Sequence, residues 1–256
     1  NPQLAMAKTL ALFSTKETEE PFIDPRSIIS EDATIGESVI IESGVVIHSG
    51  VKIGDRCRIR ANCVIEKDTV LGIECVLNPN VTIYKNTILG DNVIIHSNTV
   101  IGCDGFGYVT LEDFHEKIPQ EGNVVIGNNV EIGANTTLDR GTLADTVIEN
   151  GVKLDNQIQI AHNCHIGAYT AIAACVGIAG STVIGDNCRI GGGARISGHL
   201  KIANDIIISG GTFIYKSLKK PGRYTGVYPT NPHEEWKRNA SLVRSLRKLV
   251  GKLKKN

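Results

Sequence analysis

A large aliphatic side chain recurs at every sixth residue of this chain, from Ile23, Ile29, Ile35 and Ile41 without a miss to Ile95 and Ile101. A short second phase runs through Ile126, Ile132 and Leu138, and a third from Ile148, Leu154, Ile160 and Ile166 to Ile214. Two positions before each stands a smaller residue: Val39, Val45, Cys57, Cys63, Thr69, Cys75 and Thr99, then Thr146, Val152, Cys164, Thr182 and Cys188. Such a period is neither the 3.6 of an amphipathic helix nor the 2 of an isolated strand. It describes a short strand and a turn, repeated so that one large and one small side chain always point inward.

Gly36, Gly54, Gly72 and Gly90 recur every 18 residues, as do Gly167 and Gly185, so three hexapeptides close one coil. Coils stacked at about 4.8 Å would build a prism of roughly ten turns and on the order of 45–50 Å. Only 5% of residues are aromatic, which suits a narrow interior of medium-sized aliphatics. The expected architecture is an all-β solenoid, a parallel β-helix of hexapeptide repeats over 21–220, stabilised by neighbour-on-neighbour stacking. Cys57, Cys63, Cys75, Cys164 and Cys188 fall on its small inward lattice, where thiols act as small hydrophobes.

Two interruptions break the period. Residues 103–125 must leave the prism as an inserted loop, and between Leu138 and Ile148 the register slips by four, beside Asp139-Arg140-Gly141. Loops on a rigid scaffold are where binding groups usually reside; a tolerated surface insertion is the alternative. After Ile214 the pattern dissolves into a C-terminal extension, 221–256. There His233 to Lys255 reads as an α-helix with Trp236, Leu242, Leu246, Leu249 and Leu253 on one stripe. Its other face carries Lys237, Arg238, Arg244, Arg247, Lys248, Lys252, Lys254 and Lys255, either a docking surface for an acidic protein or a solvated face. Residues 1–20 hold a short apolar element, Leu4 to Phe13, before the linker Lys16–Pro21. With Asn1-Pro2 at the start, they read as the remnant of a preceding domain.

Charge is balanced, 27 basic against 27 acidic residues, so composition argues for neither nucleic acid nor membrane as a partner. No run of 18 apolar residues marks a membrane span, and no signal peptide is expected. A cytoplasmic protein is the expectation.

The chemistry-bearing candidates come from placing the histidines on the lattice. His48 and His96 follow inward isoleucines at surface positions, His115 lies in the insert, and His233 opens the terminal helix. The segment from Asp155 to Asn163 is unusually dense in hydrogen-bonding groups and contains His162. Counting by 18 from His162 meets Gly180 and then Gly198, while Asn163 leads to Ser181 and His199. Backbone N–H groups are accessible where no Cβ covers them, and His199 should stand about 10 Å along the axis. A neutral His162 can take a proton from an attacking amine or hydroxyl. An N–H near Gly180 can receive the oxyanion of a thioester carbonyl. A zinc site is the competing constellation, but His162 and His165 would need His48 or His96 across an interface to complete it.

The insert Asp104-Gly105-Phe106-Gly107-Tyr108 with Lys117-Ile118-Pro119-Gln120, the run Gly133 to Gly141, Asp155 to Asn163, Gly180-Ser181, Gly198-His199 and Pro229 to Trp236 follow in order. With these segments the chain resembles the UDP-3-O-(3-hydroxyacyl)glucosamine N-acyltransferases of lipid A biosynthesis. The resemblance implies a left-handed helix, a homotrimer with active sites between subunits, and attack by the 2-amine of UDP-3-O-acyl-glucosamine on a 3-hydroxyacyl thioester of acyl carrier protein. No tightly bound cofactor is implied; 4'-phosphopantetheine enters as part of the acyl carrier protein. It further implies His162 as general base, Asp155 as its support and the Gly180 N–H as oxyanion hole. Gln159 and Asn163 would shape the site, His199 would position substrate, and the basic helix would receive the carrier protein. The resemblance further implies an N-terminal uridine-binding domain, of which Asn1 to Phe13 are expected to be the last stretch. The chain carries Phe213 and Tyr215 where methionines line the far end of the acyl groove, so an altered, shorter acyl preference is expected. An O-acyltransferase acting on UDP-N-acetylglucosamine, another sugar-nucleotide acyltransferase, and a non-catalytic trimeric scaffold are the alternatives.

Overall fold

The computed structural model describes residues 1–13 and 20–253. Most of the expected linker Lys16–Pro21, Lys254 and Lys255, and the side chains of 247–249 and 251–253 lie outside the described residues. The chain forms two compact units, Asn1–Thr225 and Gly226–Asn256. The first ends later than the repeat pattern suggested because Gly222–Tyr224 adds as a last parallel strand to Ile206–Ile208.

The repeat builds a left-handed parallel β-helix. Among the described residues its strands stack into three parallel sheets of 10, 9 and 10 strands, one per side of the coil. Register is set by the lattice: Ile47 pairs with Ile65, Ile65 with Ile83, and Ile83 with Ile101. The same column continues through Leu138, Ile160, Ile178 and Ile196 to Ile214. Nearly all of these side chains are fully buried, each burial favouring the fold by about 1.5–3 kcal/mol before entropy is counted.

The companion lattice tolerates polar atoms because they find hydrogen-bond partners, many of them in the next coil. Thr182 Oγ1 donates to Ser197 O at 2.9 Å, Thr170 Oγ1 to Gly185 O at 2.9 Å, and Cys164 Sγ to Ala179 O at 3.3 Å. A buried hydroxyl so paired avoids the cost of an unsatisfied group. Turns are closed by residues at positive φ, commonly asparagine, and Asn163 (58°) and His199 (59°) are two of them.

The first excursion is shorter than its expected bounds. Cys103 still pairs, with Asp139, across a bulge at Gly102, and Val124 already rejoins the sheet opposite Thr146. Between them Tyr108–Thr110 and His115–Lys117 form an antiparallel hairpin. The second excursion lies between the Thr137–Asp139 and Thr146–Ile148 strands. Arg140 at its start is buried and donates from Nε to Gly102 O at 2.8 Å and from Nη2 to Lys85 O at 2.7 Å, tying the two excursions together.

Helix α1 spans Pro2–Phe13 with no buried residue. In the second unit helix α2 spans His233–Leu253, with Trp236 stacked on His233 at 6.4 Å and Lys237 paired to Glu234 at 2.9 Å. No described helix is long and apolar enough to cross a membrane.

Candidate active site

His162 follows the Gln159–Ile160 strand, at the turn that leaves the first sheet. One coil further on lies Gly180. A Cβ there would sit 2.6 Å from His162 Nε2 and 2.7 Å from Cε1, so the imidazole occupies the space a side chain would fill. Ser181 N donates to His162 O at 2.9 Å and His199 N to Gly180 O at 2.9 Å, which fixes the three coils in step. Among the described residues the Gly180 N–H has no acceptor.

The other side of the imidazole is closed by the first excursion: a Cβ at Gly105 would meet His162 Cβ at 2.6 Å and Cγ at 3.0 Å. Gln120 holds that loop. It is buried, its Nε2 donates to Ile118 O at 2.9 Å, and its Oε1 accepts from Thr142 Oγ1 at 3.0 Å.

The second excursion wraps the Asn163 amide. Asn163 Nδ2 donates to Ala144 O at 2.8 Å, and Asn163 Oδ1 accepts from Thr142 N at 3.0 Å. Those opposed partners settle which end is oxygen. The same Oδ1 lies 3.0 Å from His162 Nδ1, so Nδ1 must carry the hydrogen and donate it. In the neutral ring Nε2 is then the nitrogen that carries no hydrogen, and it is the one that lies over Gly180. The neutral tautomer required of a base is thus set by the backbone of the bulge, acting through one side chain.

The remaining expected site residues are distributed as follows. Asp155 is exposed at another corner, where Oδ1 accepts from Asn156 N at 2.8 Å and Oδ2 from Ala174 N at 3.1 Å. It lines a cleft of about 850 Å³ with His96, Lys153 and Arg189. Among the described residues no hydrogen bond joins it to His162, so within one chain the structure separates the two. Gln159 is next to the site, but its amide is engaged: Oε1 accepts from Thr137 Oγ1 and Nε2 donates to Asp139 Oδ2 at 3.0 Å. His199 is exposed two coils beyond Asn163. Phe213 and Tyr215 are exposed, with rings 6.4 Å apart, on the sheet that carries Gln159 and three strands further along it.

Reading by repeats did not assign Asp139, Gln120 or Thr142 to the site, nor give Asn163 its contact with the base. Counting by 18 fails across an excursion. With the slip of four included, Thr137 pairs with Gln159 and Asp139 falls beside Ala161, a placement the sequence could have yielded. Among the described residues no group of three His, Cys, Asp or Glu side chains is placed to hold a metal ion.

Two repeat patterns match the chain: the bacterial transferase hexapeptide (six repeats) at 32–67, 68–103 and 145–180, and the hexapeptide repeat of succinyl-transferase at 50–85 and 181–216. A UDP-3-O-acylglucosamine N-acyltransferase from Bordetella avium (strain 197N) is 56% identical over 43 residues, 17% of this chain and 12% of that protein. The match thus spans only a small part of that relative's length. One from Cupriavidus pinatubonensis is 58% identical over 43 residues, 16% of this chain and 12% of that protein. Among solved structures, a UDP-N-acetylglucosamine acyltransferase from Arabidopsis superposes with a TM-score of 0.57 at 26% identity, covering 88% of this chain and 81% of that one. With the repeats and the coil together, the chain is a left-handed β-helix that carries the hexapeptide repeats of bacterial transferases over 32–103 and 145–216.

Proposed function

We propose that this chain acylates a sugar nucleotide, and that its acceptor is the 2-amine of UDP-3-O-(3-hydroxyacyl)glucosamine. The observation that carries the reading is His162 Nε2 lying over Gly180 while Nδ1 faces the Asn163 Oδ1. The amine nitrogen attacks the carbonyl carbon of a 3-hydroxyacyl thioester carried by acyl carrier protein, while Nε2 takes the amine proton. The negative oxygen of the tetrahedral intermediate is received by the Gly180 N–H. Collapse breaks the C–S bond and gives the amide, and the thiolate of the carrier's 4'-phosphopantetheine recovers the proton from the imidazolium. No tightly bound cofactor takes part.

Asp155 can support His162 only from another chain, so its role is tied to a homotrimer in which neighbouring faces adjoin. Asn163 acts on the base rather than on substrate, Gln159 shapes the wall beside it, and His199 would position the sugar nucleotide. Phe213 and Tyr215 would close the far end of the acyl path with rigid rings and shorten the preferred chain. A rate series over acyl carriers of graded length checks this; equal rates at all lengths would contradict it. The basic residues of α2, Lys237, Arg238 and Arg244 among them, would orient an acidic carrier protein.

The amine acceptor is supported by local identity of 56% to a named N-acyltransferase. A second reading, O-acylation of UDP-N-acetylglucosamine, is favoured by likeness to the Arabidopsis structure over 88% of this chain. Offering the chain a 3-hydroxyacyl carrier protein with either acceptor separates them. Consumption of the free-amine sugar is expected; consumption of the N-acetyl sugar alone would transfer the assignment to the O-acyl reading, and turnover of neither would remove both.

A further inference from the structure

Arg140 is the only buried lysine or arginine among the described residues, 2% exposed, and a charge is costly to bury unless it is compensated. Among the described residues no carboxylate pairs with it. Asp139, its neighbour in sequence, turns instead to Gln159 Nε2 at 3.0 Å and Cys103 Sγ at 3.4 Å. The guanidinium is held by two carbonyls, Gly102 O on Nε and Lys85 O on Nη2. Its Nη1 has no protein partner, yet among the described residues Asn123 Oδ1 is the only polar side-chain atom both unpartnered and sealed from solvent. Nη1 is therefore open to the space beside it.

That space is a hollow of about 410 Å³ between the first excursion and the turn at Lys85, lined by Lys85, Asp104, Lys117, Gln120, Glu121 and Arg140 among others. Its size falls in the range of small-ligand sites, about 300–1,000 Å³. Asp104 is matched by Lys117 in an ion pair. The partly buried Lys85 has no ion-pair partner for its ammonium among the described residues. Glu121, the one lining acid left unpaired, is exposed, and solvent screens it. The hollow also adjoins the candidate site. Asp104 lines it, while a Cβ on Gly105, the next residue, would meet His162 Cβ at 2.6 Å and Gln120 Oε1 at 3.1 Å.

We propose that this hollow binds a phosphate group of one of the two substrates, with Arg140 Nη1 and the Lys85 ammonium as its donors. A planar guanidinium already fixed by two carbonyls loses little freedom on taking a phosphate oxygen, and the lysine adds a second charge. The anion supplies the counter-charge that Arg140 lacks within the chain. The identity of the ligand rests on the acyl-transfer reading, in which phosphate arrives from two sources. One is the diphosphate of the sugar nucleotide, the other the phosphodiester of the carrier's 4'-phosphopantetheine arm.

Inorganic pyrophosphate is the probe. Titrated calorimetrically into the full chain at low salt, it should bind saturably, and Lys85→Met should weaken that binding about tenfold. Lys52→Met, which removes an exposed cation from the regular coils, should leave it unchanged. Arg140→Lys keeps the charge and loses the planar fork, and it should weaken binding at least as much. Should that protein fail to fold because the tie between the excursions is lost, Lys85→Met carries the test alone. Displacement of pyrophosphate by UDP or by 4'-phosphopantetheine supports the proposal, the stronger competitor naming the source. Absence of saturable binding, equal binding by Lys85→Met and the unaltered chain, or displacement by neither compound overturns it. None of these measurements needs turnover. Lack of acyl transfer in a chain that binds pyrophosphate therefore counts against the proposed function, whereas an active chain that does not bind it counts against the hollow alone.

Discussion

The coils from Ile41 to Ile101 and the coils around His162 share one interior and differ only outside it. Both bury the same aliphatic column. In the first, each strand pairs with another 18 residues away and nothing leaves the prism. Around His162 two excursions interrupt the count, and both end on the same imidazole: Gly105 packs against its Cβ, and the bulge that holds Asn163 fixes its Nδ1. Regular coils therefore supply rigidity, and departures from the repeat gather polar groups around His162.

That contrast can be broken by substitutions that act on one side of it alone. His162→Ala should lower acyl transfer by about 10²–10⁴-fold with the thermal transition unchanged; retained transfer would favour the scaffold reading. Ile83→Ala, in the regular coils, should cost about 2–5 kcal/mol in urea denaturation while leaving the rate per folded molecule intact. A fall in kcat there would show that the two regions are not separable.

Asn163→Gly keeps a residue suited to the positive φ and removes the amide. It should lower kcat by about tenfold or more through loss of the correct tautomer, and imidazole nitrogen shifts should show the proton distributed between Nδ1 and Nε2. Unchanged nitrogen shifts would remove Asn163 from the account. Smallest of all, Thr182→Val should cost about 1 kcal/mol through the lost hydrogen bond to Ser197 O, read from the denaturation midpoint, with no change in kcat.

The fold was legible in the sequence because a two-residue inward pattern repeated every sixth residue leaves little freedom of register. Counting by 18 also sufficed to bring His162 against Gly180, since no excursion lies between them. It failed for Asp139, Gln120 and Thr142 because each is separated from His162 by an interruption whose length must be known before residues can be aligned. Asp155 illustrates the opposite limit: seven residues from His162 in sequence, it lies at another corner of the coil and holds the backbone N–H of Ala174 at 3.1 Å. Nearness along a solenoid strand is not nearness in space.

On the proposed reading His162 works because Gly180 leaves room for its imidazole and offers the developing oxyanion an uncovered N–H. A matched pair of substitutions tests this. Gly192 has the same turn position on another corner, where an added Cβ would meet Ala174 O at 3.2 Å, whereas at Gly180 it would meet Nε2 at 2.6 Å. Transfer from 3-hydroxyacyl carrier protein to UDP-3-O-acylglucosamine should fall by about 10²-fold or more in Gly180→Ala and hold in Gly192→Ala, both proteins melting as the unaltered chain does. Equal rates in the two variants would contradict the account.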